Sequence, residues 1–559
     1  MKGPPIELPE KYYLDYFRLL TDYVGEHYTN LLSREEKSFV RRFYKLNEDA
    51  QCLFLRLVNR RGQYFRMEKI QYAEIQDAEG ALKLLLKRKF FSLLSPNFSE
   101  ELSLVLHTFT KAELLKISSY FLERKEVSAL RAMKKQELTT FCIENVPPKK
   151  LIQLLKEQEV IIRTNHEKEL EMLKFLFFGQ LEGDMTRFVV RDIGYIKTET
   201  YDQAKLKAFF KTRSEAEDKL KLSKLYRDFK LFRDEAGAGA DEIFDWFIKL
   251  GLQRAEISEI ALPHFDKLCQ RLGKLLEQQL FPEQAIQVYQ HTDVAPSRER
   301  RVRLLHKTGN VEEAMKLCQQ ISQSPANADE QFFAEDFMNR VQKKKRTRKA
   351  TDYLRKSEKI SLPSDHQGYV EQGVLVYLEE QGHTGVHVEN YLWRGFFGLL
   401  FWDIIFDQES EAIHNPLQTA PSDLYTPQFL ERRSEALQKR LDVLCYPERF
   451  LNIIRHHHES KMGMHNPMVG WHDSLLPLVE QCYECLKPEQ IGSVLMEMAR
   501  NLRENTRGFP DLFVWSQNSY SFIEVKSPND QLSAQQLYWL HFFEKEKINA
   551  RVIRVSWED

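Results

Sequence analysis

Asp511, Glu524 and Lys526 are the residues of this chain whose types and spacing point most directly to chemistry. Asp511 follows Pro510 at the start of an apolar run, and Glu524 comes thirteen positions later, two before Lys526. A polar break at 516–520 separates this run from a second apolar run. Two short apolar runs joined in this way predict a β-hairpin.

The second predicted strand has a period of two, which places Glu524 and Lys526 on one face and Ile523 and Val525 on the other. Asp511, at the start of the first strand, is expected to lean toward the same polar face. Two carboxylates and an ammonium group arranged in this way predict a site for a hard divalent cation, because Mg²⁺ prefers oxygen ligands. The structural alternative is an exposed hairpin with a surface ion pair.

A metal ion at this position would lower the pKa of a bound water and offset the charge on a phosphate under attack. Lys526 could hold or activate that water, and the backbone carbonyl of Val525 could be a further ligand. Asp511 and Glu524 are therefore candidate ligands of one or two Mg²⁺ or Mn²⁺ ions. The implied chemistry is hydrolysis of a phosphodiester.

The segments GFPDLFVW (508–515) and FIEVKSPNDQLSAQQLYWL (522–540) resemble the VRR-NUC domain of the PD-(D/E)xK nucleases. That domain couples PDL with E-V-K-x-P-N-D and a downstream L-S-x-x-Q, and this chain has all three. The resemblance implies a nuclease with an α/β core. It also implies that Gln536, in the helix that follows, orients a water or a phosphate.

The segment HVENYLWRGFFGLLFWDIIF (387–406) resembles the helix on which this family places a further metal-ligating glutamate. Glu389 is expected at the N-terminal end of that helix, where the helix dipole also favours a carboxylate. The alternative interpretation is that Glu389 is an ordinary glutamate in the first turn of a helix and binds no metal. The FGLLFWDIIF portion is similar to the Fanconi-anaemia-associated nuclease family, which implies that Glu389 is a metal ligand together with Asp511 and Glu524.

Members of that family combine a SAP region, tetratricopeptide-like helices and a C-terminal VRR-NUC domain. The resemblance implies a 5′-flap endonuclease and 5′-to-3′ exonuclease that acts on branched DNA in interstrand crosslink repair. It further implies phosphate contacts by Arg503 and Arg507, expected on one side of a helix end beside the metal; two solvated arginines are the alternative. The start of the chain lacks the Cys and His set of the ubiquitin-binding zinc finger found in vertebrate members, so ubiquitin recruitment is not expected.

The whole chain is predicted to be multidomain and mostly α-helical with a C-terminal α/β nuclease domain, because Gly and Pro are few and Leu, Lys and Glu are abundant. The predicted domains are an N-terminal helical or winged domain (1–75), a SAP-like region (76–150), a helical connector (151–240), tetratricopeptide-like repeats (241–345) and the VRR-NUC domain (346–559).

Local patterns add expectations within the first two domains. The apolar run QCLFLRLV at 51–58 is strand-like and predicted to be buried. Thr110 and Glu113 predict a capping box at the start of the first of two SAP-like helices. The range 111–150 contains nine Lys and Arg against five Glu, which is compatible with DNA contact.

In the repeat region, small and large residues alternate where neighbouring helices are expected to pack. Such repeats form either a surface for protein partners or a rigid spacer. One basic run lies within the repeats, and a second lies at their end. The first, 297–303, is a phosphate contact or a solvated helix face; the second, 343–349 (KKKRTRK), is a solvated linker, a phosphate contact or a nuclear import signal. The packing positions are Ala285, Tyr289, Leu305, Gly309, Ala314 and Cys318.

The composition excludes several classes of protein. The formal net charge is −1, so the total charge does not indicate a nucleic-acid partner. Any DNA-binding surface is therefore expected to be a local group of basic residues. Seven scattered cysteines suit a reducing compartment rather than a disulfide scaffold. The chain shows no secretory signal, and the apolar stretch 392–406 is too short to span a bilayer. We therefore expect a soluble intracellular protein, in the cytoplasm or nucleoid of a bacterium or the nucleus of a eukaryote, with no membrane partner.

Two rival functions use the same residues: a junction resolvase or restriction-type endonuclease on the same core, and a non-catalytic DNA-binding scaffold. A zinc site at Cys482 and Cys485, or within the His-rich segment 456–472, is a further alternative. Two buried thiols on a helix are the simpler interpretation of the C-x-x-C pair.

Overall fold

A computed structural model describes residues 8–121, 130–181, 183, 186–192, 197–234, 239–345, 347–517 and 519–558. The chain divides into two compact units, Met1–Gly194 and Tyr195–Asp559. Among the described residues, none of the helices combines the length and the apolar content that crossing a membrane requires.

The first unit is helical with one small sheet. Its three short strands, β1 (Tyr64–Arg66), β2 (Phe91–Leu93) and β3 (Ile161–Thr164), are antiparallel, and β3 lies in the centre. Its helices are Tyr12–His27, Arg34–Phe43, Glu48–Val58, Ala78–Lys87, Leu102–Leu106, Lys111–Ser118, Lys135–Asn145, Pro148–Gln158, Glu167–Phe178 and Thr186–Asp192.

The central strand of this sheet comes from the segment that was expected to be a connector. Tyr64 in β1 pairs with Arg163 in β3, so residues far apart in sequence close the sheet. The predicted bounds at 75 and 150 therefore fall inside one compact unit. A four-residue strand carries too short a pattern for its partners to be identified from sequence.

The run 51–58 is buried, as predicted, but it is part of a helix and not a strand. The helix Glu48–Val58 begins at Asn47, whose side chain accepts a hydrogen bond of 3.0 Å from the backbone N–H of Ala50. Most of the residues of this helix are buried, and the buried residues lie on all of its faces. An apolar run of this length does not by itself distinguish a buried helix from a buried strand.

The capping box at Thr110 is confirmed. The backbone N–H of Thr110 donates to Glu113 Oε2 at 2.7 Å, and the backbone N–H of Glu113 donates to Thr110 Oγ1 at 3.3 Å. Both predicted SAP-like helices, Lys111–Ser118 and Lys135–Asn145, are present. Part of the segment between them, 122–129, lies outside the described residues.

The second unit begins with helices that pack as consecutive hairpins around one apolar core. Gly273 allows this close packing, because a Cβ there would lie 2.6 Å from a ring carbon of Tyr289. The predicted packing positions are buried except Gly309, which lies in a turn with a φ of +91°. The helices are Arg213–Asp234, Ala240–Lys249, Leu262–Gln278, Pro282–Tyr289, Ser297–Lys307, Val311–Gln323 and Ala328–Lys343.

Two arginines of the basic run 297–303 are not free to contact phosphate, because they form ion pairs with glutamates of other helices, whereas Arg303 remains exposed. Arg298 pairs with the fully buried Glu330 at 2.5 Å, and Arg300 pairs with Glu277 at 2.5 Å. The sequence could not show this, since the acidic partners lie on other helices.

The second basic run, 343–349, connects the last repeat helix to the next domain. Lys343 ends one helix and Lys349 begins another, Lys349–Lys356. Lys345 pairs with Asp352 at 2.6 Å, and Lys349 pairs with Glu335. Arg346 in this run and Asn518 in the hairpin loop lie outside the described residues, as do residues 235–238.

The C-terminal part is an α/β domain built on a five-stranded mixed sheet of order β4-β8-β7-β6-β5. Strands β4 (Glu358–Leu362), β8 (Ala550–Trp557) and β7 (Tyr520–Lys526) run parallel, while β6 (Leu512–Trp515) and β5 (Thr384–His387) are antiparallel to their neighbours. The predicted fold class is confirmed. The helices are Lys349–Lys356, Val370–Glu379, Tyr391–Leu400, Trp402–Ile405, Gln428–Leu441, Pro447–Lys461, Leu475–Cys485, Pro488–Arg500 and Ala534–Lys545.

Candidate active site

The predicted hairpin is formed by β6 and β7, in register Leu512 to Ile523. Ile523 and Val525 pack into the apolar core under one face of the sheet. Glu524 and Lys526 lie together on the other face, and Lys526 Nζ is 2.5 Å from Glu524 Oε1. The alternation of the strand therefore brings these two side chains together as the sequence predicted.

Glu524 is almost fully buried, with 1% of its surface exposed. Its Oε1 accepts hydrogen bonds from Lys526 Nζ and, at 2.5 Å, from Gln536 Nε2. Its Oε2 is buried and has no hydrogen-bond partner among the described residues. A buried carboxylate oxygen left in this state is costly unless a proton or a cation reaches it.

Asp511 lies immediately before β6 and completes the pair of carboxylates. Its Oδ2 accepts a hydrogen bond of 2.8 Å from the backbone N–H of Val525, which fixes the aspartate beside the second strand. Its backbone carbonyl accepts from the N–H groups of Val388 (2.7 Å) and Glu389 (3.0 Å). Asp511 thus connects the hairpin to the turn that follows β5.

The electrostatics of the pair favour a cation. Burial, and then the charge of Asp511, raise the pKa of Glu524 to about 8, although Lys526 acts against this. Burial also raises the pKa of Asp511, with a smaller contribution from Glu371. Two desolvated carboxyl groups, one of which raises the pKa of the other, are stabilised by a positive ion between them. The unpartnered Glu524 Oε2 and this charge arrangement fit a divalent metal.

Glu389 is not brought into this cluster by its side chain. It lies in the turn between β5 and the helix Tyr391–Leu400 and not in the helix, as had been expected, because the helix begins only after Asn390. Its carboxylate is exposed and accepts from Asn390 Nδ2 at 3.0 Å. Accordingly, the described residues contain no group of three or more acidic, His or Cys side chains placed to hold one ion.

The backbone of Glu389 is nevertheless unusual. Its φ is +37°, in the left-handed region that residues other than glycine rarely adopt. The two hydrogen bonds to the Asp511 carbonyl hold the turn in this conformation. Strain retained next to a pair of buried carboxylates is typical of a functional position.

Gln536 reaches the site because of a capping box. Ser533 caps the helix Ala534–Lys545: its Oγ accepts from the Gln536 N–H at 3.1 Å, and the Gln536 Oε1 accepts from the Ser533 N–H at 3.0 Å. The remaining amide nitrogen donates to Glu524. Gln536 therefore orients Glu524 in this structure, where a water or a phosphate had been expected as its partner.

An aromatic layer holds these elements in place beneath the site. Phe509 stacks on Trp539 with ring centroids 4.2 Å apart and on Trp393 at 5.9 Å. These rings join the segment before Asp511, the helix Ala534–Lys545 and the helix Tyr391–Leu400. All three side chains are buried.

Arg503 and Arg507 lie in turns after the helix Pro488–Arg500 and not on its end. Both are exposed, and Arg507 pairs with Glu504. The helix ends earlier than predicted because Asn501, with a ψ of 77°, leaves the helical conformation.

The zinc alternative finds no support among the described residues. Cys482 is buried, and burial raises the pKa of its thiol well above the usual value. His457 is buried too, with its Nδ1 2.6 Å from the Leu399 carbonyl oxygen. These side chains serve the packing of the domain.

Sequence reasoning missed Glu371, whose charge acts on Asp511. It lies in the first turn of the helix Val370–Glu379. Its sequence context, V-E-Q-G, is that of any glutamate near a helix start, so no local pattern distinguishes it.

Comparisons with known proteins agree with this architecture. Residues 11–92 match the family model "FAN1, HTH domain", and residues 447–557 match the model "VRR-NUC domain". The sheet of this structure extends beyond the second match, because β4 and β5 precede residue 447.

The relatives include a Fanconi-associated nuclease 1 homolog of Pseudomonas aeruginosa, 28% identical over 98% of this chain and 97% of its own length. An Arabidopsis thaliana homolog is 25% identical over 96% of this chain and 66% of its own length. A crystal structure of paFAN1 bound to 5′-flap DNA with a two-nucleotide flap and a gap is 26% identical, with a TM-score of 0.82 over 99% of this chain and 100% of that chain. This chain is a nuclease, and over nearly its whole length it is similar to the Fanconi-associated nucleases.

Proposed function

We propose that this chain is a structure-specific DNA nuclease that cuts near 5′ flaps and at branched junctions, with 5′-to-3′ exonuclease activity, in the repair of interstrand crosslinks. The solved structure it resembles over nearly its whole length holds 5′-flap DNA. The observation that carries the proposal is the cluster at one face of the sheet, in which the buried Glu524 and Lys526 meet the half-buried Asp511 and Gln536.

Asp511 and Glu524 would hold one or two Mg²⁺ or Mn²⁺ ions, with the Val525 carbonyl as a further ligand. Glu389 would join them when its exposed carboxylate turns from Asn390 toward the pair. When bound, such an ion lowers the pKa of a coordinated water and offsets the negative charge of the phosphate under attack. The buried Glu524 Oε2, which has no other partner among the described residues, is the oxygen available for this role.

Lys526 supplies the positive charge that does not come from the metal. Its side chain is buried, and its ammonium group is held by Glu524 Oε1. In that position it orients the attacking water and neutralises the scissile phosphate. Gln536 keeps the Glu524 carboxylate in one orientation.

The outer part of the site holds the DNA backbone. Arg503 and Arg507 are exposed just before Asp511, and they contact phosphates of the DNA; Arg507 exchanges its ion pair with Glu504 for this contact. No feature of the described residues predicts readout of base sequence, so the shape of the DNA selects the substrate.

The direct test is cleavage of end-labelled 5′-flap, 3′-flap, four-way and linear duplex DNA by the wild-type protein. We expect products only with Mg²⁺ or Mn²⁺, and strongest with the 5′ flap. Equal cutting of four-way DNA by a dimer, seen by light scattering of the complex, would favour a resolvase. Binding of all four substrates without cleavage would establish the scaffold alternative.

A further inference from the structure

Glu497 is a buried acidic residue to which the proposed mechanism gives no role. It lies in the last turn of the helix Pro488–Arg500, and only 7% of its surface is exposed. A carboxylate is rarely buried to this extent unless its oxygens accept several hydrogen bonds. The donors to Glu497 come from three different segments of the nuclease domain.

The first two donors follow Glu497 in the chain. Arg500 Nη1 donates to Glu497 Oε2 at 2.9 Å from an exposed position. The buried Asn505 donates from its Nδ2 to the Glu497 backbone carbonyl at 2.7 Å and to the Oε1 at 3.4 Å. Asn505 thus fixes the turn that runs from the end of this helix to Gly508, three residues before Asp511.

The third donor lies on the helix that carries Gln536. The Tyr538 hydroxyl donates to Glu497 Oε1. On the same helix, the buried Gln535 donates from its Nε2 to Asn505 Oδ1 at 3.4 Å. The two contacts lie on either side of Gln536 in sequence, so they determine where this part of the helix sits.

The segments that Glu497 joins are the ones that support the carboxylate pair. The turn leads into Asp511, and the helix presents Gln536, whose amide donates to Glu524 at 2.5 Å. Within the described residues, no hydrogen bond joins Glu497 itself to either carboxylate of the pair. Any influence of Glu497 on the site therefore passes through the turn and the helix.

We propose that Glu497 is a positioning residue of the nuclease, which holds the Gln536 amide and the turn before Asp511 in the arrangement that the carboxylate pair needs to bind a divalent cation. The inference rests on the proposed function and adds to it a residue that touches neither the metal nor the DNA. Outer partners of metal ligands typically contribute about 10- to 100-fold to metal affinity or activity. A displacement of about 1 Å in a reacting group costs up to about 100-fold in rate.

The test compares Glu497→Leu with Glu497→Gln. Leucine removes both acceptor oxygens, whereas glutamine keeps an oxygen for Tyr538 and Asn505 and loses only the charge that faces the exposed Arg500. Mn²⁺ binding is measured without DNA, from the electron paramagnetic resonance signal of the free ion, and flap cleavage is measured with saturating Mn²⁺.

We expect Glu497→Leu to bind Mn²⁺ about 10-fold more weakly and to lower kcat about 10- to 100-fold. The KM for DNA should change little, because Asn505 keeps its hydrogen bond to the backbone carbonyl of residue 497. Glu497→Gln should stay within about threefold of wild type in both measurements, since an exposed ion pair contributes little.

Two controls separate positioning from a simple loss of stability. Asp266→Leu removes another buried carboxylate, which pairs with Arg254 in the repeats, and should lower the Tm without changing Mn²⁺ binding. Adding Glu497→Leu to Gln536→Ala should weaken Mn²⁺ binding by no more than about threefold beyond Gln536→Ala alone, because residues that act through one another are not additive. Where Glu497→Leu does not fold, Tyr538→Phe replaces it, and loss of the one hydroxyl should weaken Mn²⁺ binding by about threefold.

The result that overturns the inference is a folded Glu497→Leu variant, or the Tyr538→Phe variant in its place, with the Mn²⁺ affinity of Asp266→Leu. Full addition of the Glu497→Leu and Gln536→Ala effects would overturn it too. The two proposals fail separately. If Glu497→Leu weakens Mn²⁺ binding but the wild-type chain cuts no DNA, the proposed nuclease function on flaps is wrong and the role of Glu497 in the metal site stands. If the wild-type chain cuts flaps and Glu497→Leu binds Mn²⁺ and cuts as Glu497→Gln does, the positioning role is wrong.

Discussion

Glu524 and Lys526 show how single residues create the chemistry of this site. Both are buried, and they form an ion pair of 2.5 Å beside Asp511. A lysine buried against one carboxylate, with a second carboxylate beside it, leaves a local excess of negative charge. That excess is what a divalent cation neutralises.

Replacing Lys526 by Met should lower the single-turnover cleavage rate by about 10²- to 10⁴-fold, the usual contribution of a positioned general acid or base. DNA affinity measured with Ca²⁺ should change little, because Lys526 acts on the scissile phosphate alone and the other phosphates are held by exposed cations. Lys545→Met, in an exposed lysine of the same domain, is the control. A Lys526→Met enzyme that cuts within threefold of wild type would remove Lys526 from the mechanism.

At the scale of elements, the site depends on the close approach of two segments at Gly508. Its φ is +80°, and a Cβ added there would lie 2.7 Å from Gln535 Cγ and 2.9 Å from the Gln535 carbonyl carbon. The helix that carries Gln536 can therefore pack against the segment that leads to Asp511 only if this residue has no side chain.

Gly508→Ala should destabilise the protein by about 1–3 kcal/mol and slow cleavage, since both strain and a backbone clash are introduced. The comparison is Gly470→Ala, where an added Cβ meets no atom within 4 Å and the φ is ordinary. Thermal unfolding and flap cleavage are measured on both. Equal stability of the two variants would mean that the close approach is unimportant.

A second feature at the scale of elements is the loop that contains the buried His414. The Nδ1 atom of this histidine lies 2.9 Å from the Lys207 carbonyl oxygen, and its Nε2 atom lies 2.7 Å from Ser422 Oγ. Burial lowers its pKa to about 4, with nearby Arg432 and Lys219 acting in the same direction, and the Lys207 carbonyl and Asp423 acting against it.

Because the folded pKa of His414 lies below the ordinary value of 6.5, the unfolded chain takes up a proton first as the pH falls. The stability linked to His414 is present above pH 6.5 and is lost between pH 6.5 and pH 4, by about 3 kcal/mol. Urea unfolding across this range should show the loss in wild type and a smaller loss in His414→Gln. If the free energy of unfolding falls with pH by the same amount in both proteins, His414 is not the group responsible for the loss.

Sequence alone predicted the elements whose pattern is local. The β6–β7 hairpin, the face shared by Glu524 and Lys526, and the cap at Thr110 follow from strand alternation and capping chemistry within a few residues. It did not predict the central position of β3, because a strand's partners are set by tertiary packing.

The outer residues of the site were predicted less well for the same reason. Glu389 was expected on a helix, but the Asp511 carbonyl holds it in a strained turn. The arginines at 298 and 300 were expected to face solvent or phosphate, but partners on other helices pair with them. Tertiary contacts determine each of these placements.

At the scale of the whole molecule, the substrate that we propose for a chain with a formal net charge of −1 is a polyanion. Its contacts with DNA must therefore come from local groups of cations that lack acidic partners, such as Arg503, and not from a general positive field. Basic runs that are paired internally, such as 297–303, contribute little.

The affinity for flap DNA should fall steeply with salt, with a slope in log–log form of about −0.9 for each phosphate contacted. Arg503→Ala should reduce the slope by about 1. Arg300→Ala, which removes a paired arginine of the repeats, should leave it unchanged. A larger change in slope for Arg300→Ala than for Arg503→Ala would reverse this assignment of the DNA-binding surface.

The central claim is that Asp511 and Glu524 form the metal-binding centre of a flap nuclease. It is tested most directly by cleavage of 5′-flap DNA by wild type, Asp511→Ala and Glu435→Ala, with Mg²⁺ or Mn²⁺ and with chelator. Glu435 is an exposed carboxylate on another helix of the same domain. We predict metal-dependent cutting by wild type and Glu435→Ala and none by Asp511→Ala, which should still bind the DNA. Cutting by Asp511→Ala at the wild-type rate, or cutting by wild type in chelator, would contradict the claim.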